Sequence, residues 1–190
     1  MASDVSICNS ALAKINAQRI TVLTESTKAA RLCNVIFVPS LDFVTRSHPW
    51  TCAIHRQALA QLATGPIFEW TYQYQLPTSP YCLRPLNVYS TSGEPEYTIE
   101  GRSLLTNDTG VNLRYIKKIT DYGEIDASLA EALAYYLAFQ LAWPLKGSRT
   151  LKNDMWEIFE KRIKPLSKSV DSMQASTKKH TDGDWITGRA

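Results

Sequence analysis

The chain has 190 residues, enough for one ordinary domain or one core with an appended subdomain. Hydrophobic residues make up 44% of it, so it can bury a core, and wholesale disorder is not expected. Its 21 Lys and Arg against 18 Asp and Glu leave a net charge of +3, too small to imply nucleic-acid binding through bulk electrostatics.

Helical signals open the chain. Ser3 or Asp4 can cap a first helix, because a short side-chain oxygen satisfies the orphan N–H groups of the first turn. Val5, Cys8, Leu12 and Ile15 then recur at helical spacing. Asn16 to Thr24 reads as a loop, and Thr24, Ser26 and Thr27 are candidate caps for a second helix built on Ala29, Leu32, Cys33, Ile36 and Phe37. Pro39 is expected to kink or break that helix, since its ring clashes with the preceding turn and it lacks a donor. Leu41, Phe43 and Val44 continue the pattern until Pro49 stops it in the junction His48-Pro49-Trp50, which we assign a structural role.

The middle reads differently. Prolines, glycines and alternating runs from Thr51 to Thr120 favour short strands and turns. Ala53 to Ala63 is ambiguous, its alanines and leucines favouring helix. Phe68, Trp70, Tyr72, Tyr74 and Leu76 alternate with Glu69, Thr71, Gln73 and Gln75, the period of a strand with one buried face, which Pro77 ends. Leu83 to Tyr89, Glu96 to Glu100 and Ser103 to Thr106 follow as strands, with Glu100-Gly101-Arg102 a tight turn. Asn107 to Gly110 turns the chain into a last strand over Val111 to Ile119.

Helices then return. Asp126 and Ser128 are candidate caps, and Ser128 with Glu131 forms a plausible capping box. Leu129 to Trp143 is apolar nearly all round and must be covered on most sides, by its own domain or by a neighbouring subunit. Ala134 and Ala138 are therefore candidate interface positions. Pro144 and Gly147 should end this helix, and Leu151 to Met173 should form a final one bent at Pro165. Lys161, Arg162, Lys164 and Lys168 lie beside Glu157 and Glu160 and read as a solvated face, with a DNA or phosphate contact the alternative. The fold class expected is α+β: a helical domain from 1–50 and 121–174, an antiparallel β unit inserted over 51–120, and a flexible tail over 175–190.

Catalytic patterns are weak. Cys8, Cys33, Cys52 and Cys82 are widely spaced, as befits free buried thiols, and support neither a metal cluster nor a redox pair. Cys52 and His55, three apart on a strand, would face opposite ways and not form a nucleophilic pair. The sequence holds no Walker A loop, Gly-x-Gly-x-x-Gly fingerprint, His-x-x-x-His or Gly-x-Ser-x-Gly. Two carboxylate clusters, Glu94, Glu96 and Glu100, then Asp121, Glu124 and Asp126, are explained more cheaply by exposure or capping than by glycoside hydrolysis. No enzyme, cofactor or metal is expected. The N-terminus lacks a signal-peptide pattern, and Leu129 to Leu145, interrupted by Glu131, Gln140 and Pro144, is a poor bilayer span. A soluble protein made in the cytoplasm is the expectation.

The order of short motifs adds a resemblance. His48-Pro49-Trp50 closes the helical part, and the aromatic run closes on Leu76-Pro77 before Leu83-Arg84. Tyr97-Thr98-Ile99-Glu100-Gly101, Leu104-Leu105-Thr106, Leu113-Arg114-Tyr115-Ile116 and Thr120-Asp121 follow. After the alanine- and leucine-rich helix, the tail carries Asp184-Trp185 and Gly188-Arg189. That succession resembles the head-to-tail connector of short-tailed bacteriophages, the tail tubular protein A family. Each motif is short, and their order over nearly the whole chain gives the resemblance its specificity. It places a strand within Ala53 to Ala63. It implies a virion protein of the portal vertex: a ring of twelve copies that docks on the portal protein, extends the DNA channel and supports the tail nozzle and, in many relatives, fibres or spikes. Genomic DNA would pass through the lumen at ejection without sequence-specific binding, and no membrane is involved. The implied portal contact of the tail falls on Trp185, Ile186 and Arg189, aromatic, apolar and basic types that often anchor interfaces. A carbohydrate-active hydrolase of the tail and a nucleic-acid-binding module are the alternatives.

Overall fold

The computed structural model describes residues 2–173. The tail over 175–190, with Trp185, Ile186 and Arg189, lies outside the described residues. The fold is α+β: helices at the two ends of the chain enclose, in sequence, two small antiparallel sheets.

Helix α1 (Asp4–Lys14) starts on a capping box in which Ser3 and Ser6 satisfy each other's backbone N–H groups. Helix α2 (Lys28–Ser47) is capped by Thr27, whose hydroxyl accepts from the Ala30 N–H. Of the two outcomes expected at Pro39, a kink or a break, the break does not occur: α2 runs on through the proline. Its missing N–H frees the carbonyl of Val35, and Val35 is 72% exposed, so water can take the place of the lost helical donor. Asp126, not Ser128, caps helix α3 (Ala127–Lys146), accepting from the Leu129 N–H at 2.6 Å. The expected capping box does not form; Glu131 reaches Lys14 of α1 instead, at 2.7 Å. Pro144 lies within the last turn of α3, and Gly147 closes it at φ 65°, the left-handed geometry that glycine adopts without a Cβ penalty.

The expected final helix is divided. Helix α4 (Arg149–Ile158) passes through a wider turn (Phe159–Ile163) into helix α5 (Lys164–Ser172). Pro165 explains the interruption: its ring would strike the carbonyl four residues back, and the π-turn, closed by Lys164 N–H to Phe159 C=O, opens the helix just before it.

Between the helical parts, strand β1 (Ile54–Ala58), strand β6 (Asn112–Lys117) and strand β3 (Cys82–Tyr89) form one sheet in the order β1-β6-β3. Strand β2 (Tyr72–Gln75), strand β5 (Ser103–Thr106) and strand β4 (Tyr97–Glu100) form the other, in the order β2-β5-β4. All pairings are antiparallel. Gly101, at φ 57°, turns β4 into β5 as expected. Strand β1 resolves the ambiguity of Ala53 to Ala63 in favour of a strand.

Helix α3 is the axis of the helical layer and packs against α1, α2, α4 and α5. Most of its apolar surface is thus covered within the chain, Trp143 being left 47% exposed. The β1-β6-β3 sheet joins the layers, because alternation sends Ile116 into the helical core and Leu113 and Tyr115 toward the second sheet. Tyr74, Leu76 and Leu104 meet them there. At the junction Trp50 is 1% exposed, donates its indole N–H to the Val44 carbonyl at 3.0 Å, and takes the His48 ring edge-on at 5.0 Å.

The aromatic run departs from its expected single buried face. Tyr74 is buried and Trp70 and Tyr72 are half-buried, but Phe68 is 75% exposed. Only Tyr72–Gln75 is strand. Glu69 adopts φ 73°, and the Trp70 N–H bonds the Phe68 carbonyl at 2.9 Å, a tight three-residue turn that ends the alternation upstream of β2.

Candidate interaction surface

A partly exposed aromatic strip crosses the helical layer. On α3, Tyr136, Phe139, Gln140 and Trp143 share one stripe, being three, four and seven residues apart. Helix α2 brings Phe43 onto Tyr136 as a stacked pair at 4.9 Å. Helix α4 brings Trp156 to Phe139 at 4.9 Å, and Phe159 at the start of the π-turn closes against both Tyr136 and Trp156. Phe43, Trp143 and Trp156 keep much of their surface in solvent. Val35, Pro39 and Phe43 wall a shallow groove beside this strip, with Tyr136 and Gln140 on its other side.

The strip's other edge carries positive charge. Lys152 Nζ lies 5.0 Å from the Phe139 ring centre, and the Arg149 guanidinium lies 5.5 Å from that of Trp143. A cation over an aromatic face is attracted by the ring quadrupole, so these contacts hold ring and base together at the surface. Further along, Leu166, Val170 and Met173 extend exposed apolar surface over α5 and its end. Groups of this kind are apt for protein contact, since aromatic side chains and Arg are enriched where interfaces bury most energy.

The structure moves the proposed interface positions. Ala134 and Ala138 are buried in the chain's own core and have no surface to give a neighbour. Trp143 is the α3 residue that does. The sequence signal for the strip was present in the 136, 139, 140, 143 spacing, but an all-apolar helix hides which stripe is left over.

The remaining candidates are placed by structural roles. Asp121 caps the short turn after β6 through the Gly123 N–H, Glu124 pairs with Lys117 at 2.6 Å, and Asp126 caps α3. Glu94, Glu96 and Glu100 are all exposed. Lys161–Glu157 and Lys164–Glu160 are helical ion pairs at 2.8 Å; the first lies on a solvated face as expected, and the second is half-buried. The hydrogen bond from Lys161 holds the Glu157 carboxyl below its usual range. His55 packs edge-on to Tyr115 at 5.6 Å. The hydrogen bond with Cys33, then burial, push the Cys8 thiol up, and burial pushes Cys82 up to about 11. Among the described residues, no three His, Cys, Asp or Glu side chains converge as a metal site, and no helix is long and apolar enough to cross a membrane.

Arg102 is a residue that sequence reading did not single out. From the β4–β5 turn its guanidinium donates to the carbonyls of Cys82 (2.8 Å) and Pro77 (2.6 Å) and stacks over Tyr81 at 4.0 Å. It ties the outer hairpin to the start of β3. No protein-family model matches the chain, and no curated protein matches it.

Proposed function

We propose that this chain is a structural subunit of a head-to-tail adaptor in a short-tailed phage virion. It would form a ring, of twelve copies if the resemblance extends to stoichiometry, that docks on the portal protein, extends the DNA channel and offers a platform to the tail nozzle and to fibres or spikes. The motif order that resembles the tail tubular protein A family supports this reading. The observation that carries it is the aromatic strip: Phe43, Trp143 and Trp156 remain partly in solvent beside one another's ring neighbours on the helical layer. Contiguous exposed apolar surface on a folded chain marks a place where another protein sits. In a ring, head-to-tail contact repeated around an axis would cover such a strip on every copy. The function is then geometric and not enzymatic.

The test is the mass of complexes formed with a portal, using the full chain and two variants on the strip, Phe43→Asp and Trp156→Asp. Both positions are partly exposed, so the folded monomer should survive while the high-mass complex is lost. A complex of unchanged mass with both variants removes the strip from the assembly.

A further inference from the structure

We propose that Arg56, Arg114 and Arg84 form a binding site for a phosphate group on one face of the β1-β6-β3 sheet. This inference stands apart from the adaptor reading. Arg56 on β1 is directly opposite Arg114 on the central strand β6. Directly opposed residues of an antiparallel pair point to the same face, and like charges there repel. Asn87 of β3 is opposite Arg114 on its other side, and Arg84 is opposite Ile116, two residues along β6 and so on that face too. Three arginines therefore share one small face of a three-stranded sheet.

The protein does little to neutralise them. Among the described residues no carboxylate pairs with any of the three; the recorded ion pairs all use lysines. Arg114 donates one Nη to the Asn87 amide oxygen at 3.2 Å, a neutral acceptor. The Nε atoms of Arg114 and Arg84 are buried without any hydrogen-bond partner. A buried, unpartnered donor on a cation is costly, and two opposed guanidinium groups add to that cost. An anion seated on this face offsets the repulsion between the opposed guanidinium groups.

The shape of the face suits a small oxyanion. Ile116 packs into the helical core at one end, with Arg84 opposite it, while at the other end Arg56 and Arg114, with Gln57, Ala58, Tyr89, Asn112 and Leu113, line an open concavity of about 350 Å³. Guanidinium forks match phosphate oxygens two at a time, and two forks carried side by side on adjacent strands suit a tetrahedral anion with several acceptors better than a planar carboxylate. The phosphate could be free or part of a nucleic-acid backbone, which offers the same oxygens.

Thermal melting of the full chain in sodium phosphate, against sodium chloride at matched ionic strength, tests the site. Phosphate should raise Tm by about 2–4 °C in the unmodified protein. Arg56→Gln and Arg114→Gln should lose that rise, whereas Lys161→Gln should keep it. Arg56 is exposed, so its variant folds even if Arg114→Gln does not. An equal Tm in both salts, or a rise that Arg56→Gln retains in full, overturns the proposal. So does an equal rise in sodium acetate, which would make the face a carboxylate site. Fluorescence anisotropy of a labelled DNA duplex separates the two sources. Binding whose salt dependence falls by about 2 in slope in the Arg56→Gln, Arg114→Gln double variant assigns the site to a nucleic-acid backbone. The phosphate-induced rise without duplex binding assigns it to free phosphate.

Discussion

Replacing Trp50 with alanine should be among the most damaging single changes in the chain. The side chain is 1% exposed at the junction of the helical layer and the strands, so truncation opens a cavity where both meet. Trp→Ala in a packed core costs about 3–5 kcal/mol. The lost indole bond adds little, because the Val44 carbonyl still accepts from Ser47 Oγ at 2.8 Å and is not left unpaired. Trp50→Phe, which keeps most of the volume, should cost only about 1–2 kcal/mol. Phe68→Ala is the control: it removes an aromatic of the same sequence run, but one 75% exposed, and should shift stability by no more than about 0.5 kcal/mol. Urea unfolding followed by circular dichroism reads all three as midpoint shifts at constant slope. In thermal melts the Trp50→Ala loss corresponds to roughly 6–20 °C. A Trp50→Ala loss below about 1 kcal/mol, or a Phe68→Ala loss above it, would refute the packing described for this junction.

Other outcomes follow from the same geometry. Pro39→Ala restores a donor to the Val35 carbonyl and should stabilise the chain by about 1–3 kcal/mol in urea unfolding, with a destabilisation counting against a continuous α2. Ala134→Asp places a carboxylate in the core and should abolish the folded monomer itself, seen as loss of cooperative melting; a well-folded monomer that fails only to assemble would return Ala134 to an interface. Arg102→Ala should cost about 2–3 kcal/mol through its charged bonds to Cys82 and Pro77, and an effect within 0.5 kcal/mol would make that tie idle. Burial pushes the Tyr115 hydroxyl up to about 12, above the ordinary value near 10, so the folded state holds a proton that the unfolded state releases first. Stability should therefore fall as pH rises from about 10 to about 12, and Tyr115→Phe should flatten part of that fall in pH-dependent unfolding; an identical slope in the variant contradicts the shift.

Local rules placed the turns, and the helix starts among a few candidates, though the capping box read from Ser128 and Glu131 does not form. Ser3, Thr27 and Asp126 cap their helices because short side-chain oxygens there meet orphan N–H groups, and Gly101 and Gly147 sit where positive φ is required. The switch from helical to alternating periodicity located the strands. The errors of sequence reading arose where non-local structure decides. Pro39 was expected to kink or break a helix, and α2 does not break there because its freed carbonyl lies on an exposed side, whereas the irregularity expected at Pro165 is present as the π-turn between α4 and α5. Phe68 matched the strand period, yet the turn at Glu69 releases it from the sheet. The assignment of Ala134 and Ala138 to an interface failed because periodicity shows that α3 is apolar, not that four helices already cover it. The arginine face was invisible for a related reason: Arg56, Arg84 and Arg114 are far apart in sequence, and only the register of β1, β6 and β3 brings them together.

The adaptor proposal is tested most directly by electron micrographs of the purified full chain mixed with a purified portal. The expected result is a closed ring of this protein seated coaxially on the portal, with the helical-layer strip covered between adjacent copies. A protein that remains a monomer beside undecorated portals, at concentrations well above those of the assay for complex mass, would contradict it.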